Sequence, residues 1–222
     1  SRDIGFAGAD WVEELEVDAV ELIDTGLDPV RVVAAAPEHL FDDLPQRTLV
    51  VASEYERLAL GWIRSRGLDA EFAHSYGATE AFPPEDADVI IDNTATGSTL
   101  RANNLEIVEE LMRSSTRFYA SPQAMSDPAK RCRIDDLCLL LNSVLQARRR
   151  VMVEVNVSRE KLDGVVTLLP AMREVTVSSL FEDSGFAVKA AIPRHRLAEI
   201  IPAVKAAGGM DIVVTDLSQI VS

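Results

Sequence analysis

The sequence holds only two cysteines, Cys132 and Cys138, six residues apart in a stretch with helical periodicity. That spacing points the thiols in different directions and keeps them beyond disulfide reach. A reducing, cytoplasmic setting is expected. Apolar runs of the ~18 residues needed to cross a membrane are missing, because charge or proline interrupts every long apolar segment. A soluble chain without membrane contact is expected. Basic residues are scarce as well: 22 Lys and Arg stand against 36 Asp and Glu, a net charge of −14. Such a surface repels a phosphate backbone and excludes broad nucleic-acid binding, although local backbone dipoles can still hold a small anion. With 11 Gly and 10 Pro the chain is neither collagenous nor of low complexity. His39, His74 and His195 are scattered without ligand spacing, so no zinc site is expected. No nucleophile elbow, no G-x-x-x-x-G-K-[ST] loop and no Cys/His pairing occurs, which leaves covalent catalysis unsupported.

What is present suffices for a real core: 47% of the 222 residues are hydrophobic and 26% charged, enough for one large domain or two modest ones. The chain starts without an initiator Met almost directly on the strand-like Ile4-Gly5-Phe6-Ala7, which predicts a truncated N-terminus. A turn at Gly8-Ala9-Asp10, with Asp10 as a capping carboxylate, leads into a short helix from Trp11 and a strand over Val17 to Ile23. Val32 to Ala36, ended by Pro37, and Thr48 to Ala52 read as buried strands. Tyr55, Leu58, Ala59, Trp62 and Ile63 recur at helical spacing until Gly67 stops the helix. Strands over Ala70 to Ala73 and Asp88 to Asp92 complete an alternation typical of parallel βαβ units. After Gly97, the spacing of Leu105, Val108, Leu111 and Met112 predicts a helix, then a strand over Arg117 to Ala120 and a loop from Ser121 to Pro128. The longest amphipathic helix follows, with Ile134, Leu137, Cys138, Leu141, Val144 and Leu145 in one stripe and Arg148-Arg149-Arg150 at its negative end.

From Val151 the texture changes. Val151, Val153, Val155 and Val157 alternate with Met152, Glu154 and Asn156, the period-two pattern of a half-buried strand. A helix through Leu162, Val165, Val166 and Leu169, strands over Glu174 to Leu180 and Phe186 to Ile192, a helix through Leu197, Ile200, Ile201 and Val204, and a strand over Asp211 to Thr215 follow. The order β-α-β-β-α-β predicts a separate ferredoxin-like domain over 151–222.

Chemistry concentrates in Asp92-Asn93-Thr94-Ala95-Thr96-Gly97-Ser98-Thr99-Leu100, where a buried strand ending in Asp92 runs through hydroxyl and glycine residues into a helix. Hydroxyls and free amides gathered at such a turn form a phosphate cradle. A generic Thr-Gly-Ser-Thr run would be a helix cap, but a carboxylate beside the cradle can take ribose hydroxyls or hold Mg²⁺. Glu80, ahead of Phe82-Pro83-Pro84, and Asp88 are candidates to converge on the same pocket.

These residues resemble a known family, the ATP phosphoribosyltransferases. Asp3 to Asp10 looks like its D-L-G-I-x-G-x-[DN] segment, and Gly77-Ala78-Thr79-Glu80-Ala81-Phe82-Pro83 like its G-[SA]-x-E-x-x-P segment. Asp88 to Asn103 resembles its long signature A-D-x-I-x-D-x-x-x-T-G-x-T-L-x-A-N. Leu162 to Pro170 and Lys205 to Val214 look like the regulatory domain of the long form. Asn104 stands where the family has Gly, and nothing here matches the first βα segment with a Lys-Gly loop that the family carries ahead of this point.

The resemblance implies an α/β fold: a two-lobed catalytic region of the periplasmic-binding-protein type plus a C-terminal ferredoxin-like domain. On that reading residues 1–30 are the remainder of lobe I, 31–118 lobe II, 119–150 the return segment and helix, and 151–222 the regulatory domain. It implies transfer of the phosphoribosyl group of phosphoribosyl pyrophosphate to N1 of ATP, with Mg²⁺ and release of pyrophosphate. Asp92, Thr94, Ala95, Thr96, Gly97, Ser98 and Thr99 would hold the sugar phosphate, Glu80 and Asp92 would act at the ribose, and Asp92 would meet the metal. Gly8 and Asp10 would lie on the nucleotide side. Asn156 and Thr176 would bind histidine as a feedback inhibitor, Asp211 standing where the family has a small residue. A homo-oligomer between dimer and hexamer is expected. The competing reading is a non-catalytic binding or regulatory subunit of the same fold.

Overall fold

The computed structural model describes residues 2–42, 44–172 and 174–221. Two compact units divide the chain, Ser1–Arg131 and Cys132–Ser222. The first carries β1 (Ile4–Gly8), α1 (Ala9–Glu14), β2 (Val20–Pro37), β3 (Leu49–Ser53), α2 (Glu56–Arg66), β4 (Ala70–His74), β5 (Val89–Thr94), α3 (Ser98–Ala102), β6 (Leu105–Ala120) and α4 (Pro122–Ser126). Its six strands form one sheet in the order β1-β6-β2-β5-β3-β4. The pairs of β3 with β4 and with β5 are parallel, as the βαβ spacing predicts, and the remaining pairs are antiparallel.

Two long strands give this sheet its two lobes. The strands expected over Val17–Ile23 and Val32–Ala36 are halves of one 18-residue strand, β2. Its register against β6 slips between Glu21 and Ile23, between Asp24 and Leu27, and again before Val30, with Gly26 and Asp28 at positive φ (65° and 48°). Such bulges bend and twist a strand without ending it. One half of the β2–β6 ribbon carries β1 and α1, and the other carries β5, β3, β4, α2 and α3.

The helix expected over Leu105 to Met112 is absent: α3 has five residues, and Leu105 already starts β6. The reason lies in the register, where Val32 faces Met112 but Val33 faces Glu110, and Ala34 faces Glu109 but Ala35 faces Ile107. Leu111 and Val108 are therefore extra residues on β6. Two bulges three residues apart turn a period of two into an apparent period near three, the spacing that mimics a helix. The loop expected over Ser121 to Pro128 likewise contains α4, whose Ala124 N–H donates to Ser121 Oγ at 3.1 Å.

Alternation across the lobe II strands fills both faces of the sheet. Val32, Ala34, Val51, Val89 and Ile91 pack with Tyr55, Ala59 and Trp62 from the α2 side, while Val33, Ala35, Ala52 and Ile90 pack with Leu100 and Leu105. Burying each large apolar side chain contributes ~1.5–3 kcal/mol. Gly67, left-handed at φ 61°, ends α2 where the sequence places the stop.

The helix α5 (Pro128–Arg148) begins in the first unit, and most of it belongs to the second, with Ile134 and Ala147 buried. Cys132 and Cys138 both lie on it as free thiols. The second unit continues with β7 (Arg150–Val157), α6 (Leu162–Leu168), β8 (Thr176–Ser179), β9 (Phe186–Pro193), α7 (Leu197–Ala206) and β10 (Met210–Asp216). Its antiparallel sheet has the order β10-β7-β9-β8, the ferredoxin-like arrangement that the element order predicts. Val151, Val153, Val155 and Val157 all face its core. Gly209 is required by contact: a Cβ there would lie 2.7 Å from Val204 Cγ1 and 2.9 Å from Val155 Cγ2.

Candidate active site

At the end of β5 the backbone leaves the sheet through Thr94-Ala95-Thr96-Gly97 and turns into α3. Gly97 adopts φ 73°, a conformation that favours glycine, and its N–H donates to Thr94 Oγ1 at 2.9 Å, which closes the loop. Thr96 Oγ1 and Ser98 Oγ lie 3.0 Å apart, and Arg101 Nη1 donates to the Thr96 carbonyl at 3.2 Å. The N–H groups of Thr96 and Thr99 have no acceptor among the described residues. Because α3 is so short, its dipole adds little, and the loop's own amides and hydroxyls make the polar surface.

That surface lines a cavity of about 270 Å³. The cavity gathers Glu80, Asp92, Asn93, Thr94, Ala95, Thr96, Ser98 and Thr99, while Gly97 holds the turn behind them. Burial pushes the Asp92 carboxyl up to about 6, the Asn93 N–H at 2.7 Å offsets part of that rise, and the Glu80 and Glu54 carboxylates raise it again. Asp92 is thus a half-buried acid facing like charges. A ligand bringing hydroxyl donors or a cation would relieve that repulsion.

Other expectations meet a different geometry. Asp88 sits at the opposite end of β5, where Arg47 clamps it through contacts of 2.5 and 2.7 Å and the Val50 N–H donates at 2.9 Å. The Arg47 guanidinium holds its carboxyl below the ordinary value, and it does not join Glu80. Asp10 does not cap α1. Gly8 takes the cap position, and Asp10, 5% exposed, accepts from Ser114 Oγ at 2.6 Å and Tyr55 OH at 2.7 Å. Gly8 packs against that same carboxylate, since a Cβ on it would lie 2.3 Å from Asp10 Oδ1.

In the second unit, Thr176 lines a cavity of about 540 Å³ with Glu174, Lys189 and Met152. Asn156 is not part of it. Its Nδ2 donates instead to Asp211 Oδ2 at 3.1 Å, on the β10 side of the sheet. Among the described residues no group of three or more His, Cys, Asp or Glu could by itself hold a metal ion, and no helix is long and apolar enough to cross a membrane.

Sequence reasoning missed a network that joins the lobes. The buried Tyr55 OH donates to Asp10 and accepts from Asn93 Nδ2 at 3.0 Å, and its ring packs on Trp11 with centroids 4.9 Å apart. Glu14 of α1 accepts the Arg57 and Leu58 N–H groups at 2.8 and 3.0 Å, capping the start of α2. Arg57 in turn pairs with Glu13. Tyr55 falls in the helical stripe that sequence reading assigns to the core, and nothing in that stripe singles out its hydroxyl.

A family model described as ATP phosphoribosyltransferase matches residues 1–143, and one described as HisG, C-terminal domain, matches residues 147–219. The ATP phosphoribosyltransferase of Pelotomaculum thermopropionicum is 35% identical over 228 residues, covering 99% of this chain and 78% of its own length. That of Chlorobium luteolum is 34% identical over 230 residues, covering 99% and 77%. Among solved structures, an ATP phosphoribosyl transferase (HisG:HisZ) complex from Thermotoga maritima aligns with a TM-score of 0.56 at 26% identity, over 63% of this chain and 68% of that one. With both lobes' signature segments and the C-terminal domain accounted for, the chain belongs to the ATP phosphoribosyltransferase family.

Proposed function

We propose that the Asp92–Thr99 cavity binds the phosphoribosyl group of phosphoribosyl pyrophosphate and presents its C1 to N1 of ATP, in the first step of histidine biosynthesis. One observation carries this reading: the unpartnered Thr96 and Thr99 amides beside the loop hydroxyls, which suit a phosphate, adjoin the Asp92–Glu80 pair, which suits sugar hydroxyls, in one cavity. The Thr96 and Thr99 amides with the Thr96, Ser98 and Thr99 hydroxyls hold the 5′-phosphate, and Asp92 and Glu80 accept from the ribose. C1 gains positive charge as pyrophosphate leaves, and the two nearby carboxylates stabilise it without a protein nucleophile. Asp92 also fits Mg²⁺, which commonly takes one or two carboxylates and completes its shell with substrate phosphates and water. Bound there, the ion would neutralise charge on the departing pyrophosphate.

The second cavity suits a zwitterion such as histidine, since Glu174 and Lys189 line it beside Thr176. Histidine would act there as the feedback inhibitor. A homo-oligomer, dimer to hexamer, is proposed because β10 is an edge strand that exposes Met210, Val213 and Val214. The two free thiols fit a reducing cytoplasm. Isothermal titration with phosphoribosyl pyrophosphate and Mg²⁺, then a pyrophosphate-release assay with ATP, tests the main reading. Absence of binding at millimolar ligand refutes it.

A further inference from the structure

The buried Asp10 carboxylate sets the direction of a hydrogen-bond chain that ends at the cavity. A carboxylate only accepts, so Ser114 and Tyr55 both donate to it. Tyr55 has a single proton, and toward Asn93 its oxygen must therefore accept. Burial, reinforced by the Asp10 contact, moves phenol ionisation far above the ordinary range and keeps that proton in place. The Tyr55 oxygen is fixed as well, because the residue is fully buried and its own N–H donates to Ser53 Oγ at 2.8 Å.

One orientation of the Asn93 amide follows. Nδ2 must face Tyr55, which leaves Oδ1 as the unpartnered half, and Asn93 lies between Asp92 and Thr94 on the cavity wall. We infer that Asn93 is a sugar-contacting residue that offers its Oδ1 acceptor to a ribose hydroxyl, with Tyr55 and Asp10 as positioning residues that hold the amide in this orientation. The inference rests on the phosphoribosyl reading of the cavity. A flipped amide would offer its NH₂ to a phosphate instead, so the network selects for the sugar and not for the anion.

The test uses the full 222-residue chain and two probes, ribose 5-phosphate and inorganic phosphate, in calorimetric titrations of wild type, Tyr55→Phe and Asn93→Ala. Both variants are expected to weaken ribose 5-phosphate about 3- to 10-fold, the weight of one hydrogen bond, while phosphate affinity changes less than about twofold. Nuclear magnetic resonance on the wild type should show a slowly exchanging Asn93 side-chain N–H, and Tyr55→Phe should abolish that protection. Should Tyr55→Phe not fold, Asn93→Ala, on an exposed position, decides alone. Equal weakening of both probes, or unchanged sugar affinity in the variants, overturns the inference and leaves the phosphoribosyl reading standing. A wild type that binds phosphate but not ribose 5-phosphate overturns both.

Discussion

Asp92→Asn should make the protein more stable and its sugar site weaker. The Asp92 carboxyl is raised from an ordinary value of 3.8 to about 6, chiefly by burial. The folded state therefore holds the proton at pH values where the unfolded chain has released it. Stability from this group is intact below the unfolded value and is lost as pH rises through about 6. At ~1.4 kcal/mol for each tenfold change in acidity, the rise corresponds to roughly 3 kcal/mol above pH 7. Water reaches part of this carboxylate, which lowers the figure to about 1–2 kcal/mol. For a chain of this length each kcal/mol moves the melting temperature by ~2–4 °C, so the amide should raise it by about 2–8 °C at pH 7.5.

The gain should shrink to less than half near pH 4.5, where wild-type Asp92 is itself protonated in the folded state. Calorimetric melting of both proteins at the two pH values measures it. A parallel titration with phosphoribosyl pyrophosphate and Mg²⁺ should show affinity in the wild type falling roughly tenfold from pH 7 to pH 5, as a group titrating near 6 becomes protonated, and little binding in the variant. A variant that melts no higher than wild type at pH 7.5, or gains the same amount at both pH values, refutes the assignment of Asp92 as an acid held against its preference.

Gly97→Val, which places a branched side chain at φ 73°, and Thr99→Ala should each weaken phosphoribosyl pyrophosphate binding at least several-fold by titration, with far-ultraviolet circular dichroism unchanged. Arg47→Ala strips Asp88 of its clamp and should lower stability in denaturant at pH 7. Because the folded-state value of Asp88 lies below the unfolded one, its stabilisation is lost as pH falls through that lowered value, so the difference between variant and wild type should shrink steadily as pH is taken below the ordinary carboxylate range. Gly209→Ala drives a methyl against Val204 and Val155 and should destabilise the protein by ~1–3 kcal/mol in urea unfolding.

How far the fold is legible depends on strand regularity. The strand β7 alternates buried and half-buried positions over all eight residues, and sequence and structure agree there. On β6 the extra residues Val108 and Leu111 break the alternation, and both still pack into the lobe II core. No one-dimensional pattern distinguishes that strand from a helix, because the bulges at Val108 and Leu111 exist only in its pairing with the distant β2. The long β2 hides for a related reason: Asp24 to Asp28 reads as a break, and in the sheet it is a bend within a continuous strand.

The site divides along the same line. Asp92 to Thr99 is contiguous, so hydroxyl, glycine and carboxylate types reveal the cradle before any fold is known. The residues that orient Asn93 come from positions 45 and 38 apart in the chain, and none carries a local signature. Asp10 looks like a helix cap, Tyr55 like a core aromatic and Asn93 like a loop residue. Each becomes functional only through the donor and acceptor count of its partners. Direction in the network therefore originates at a buried acid outside the lining of the sugar cavity, and substitution at Asp10 should be felt in sugar affinity without any lost contact at the sugar.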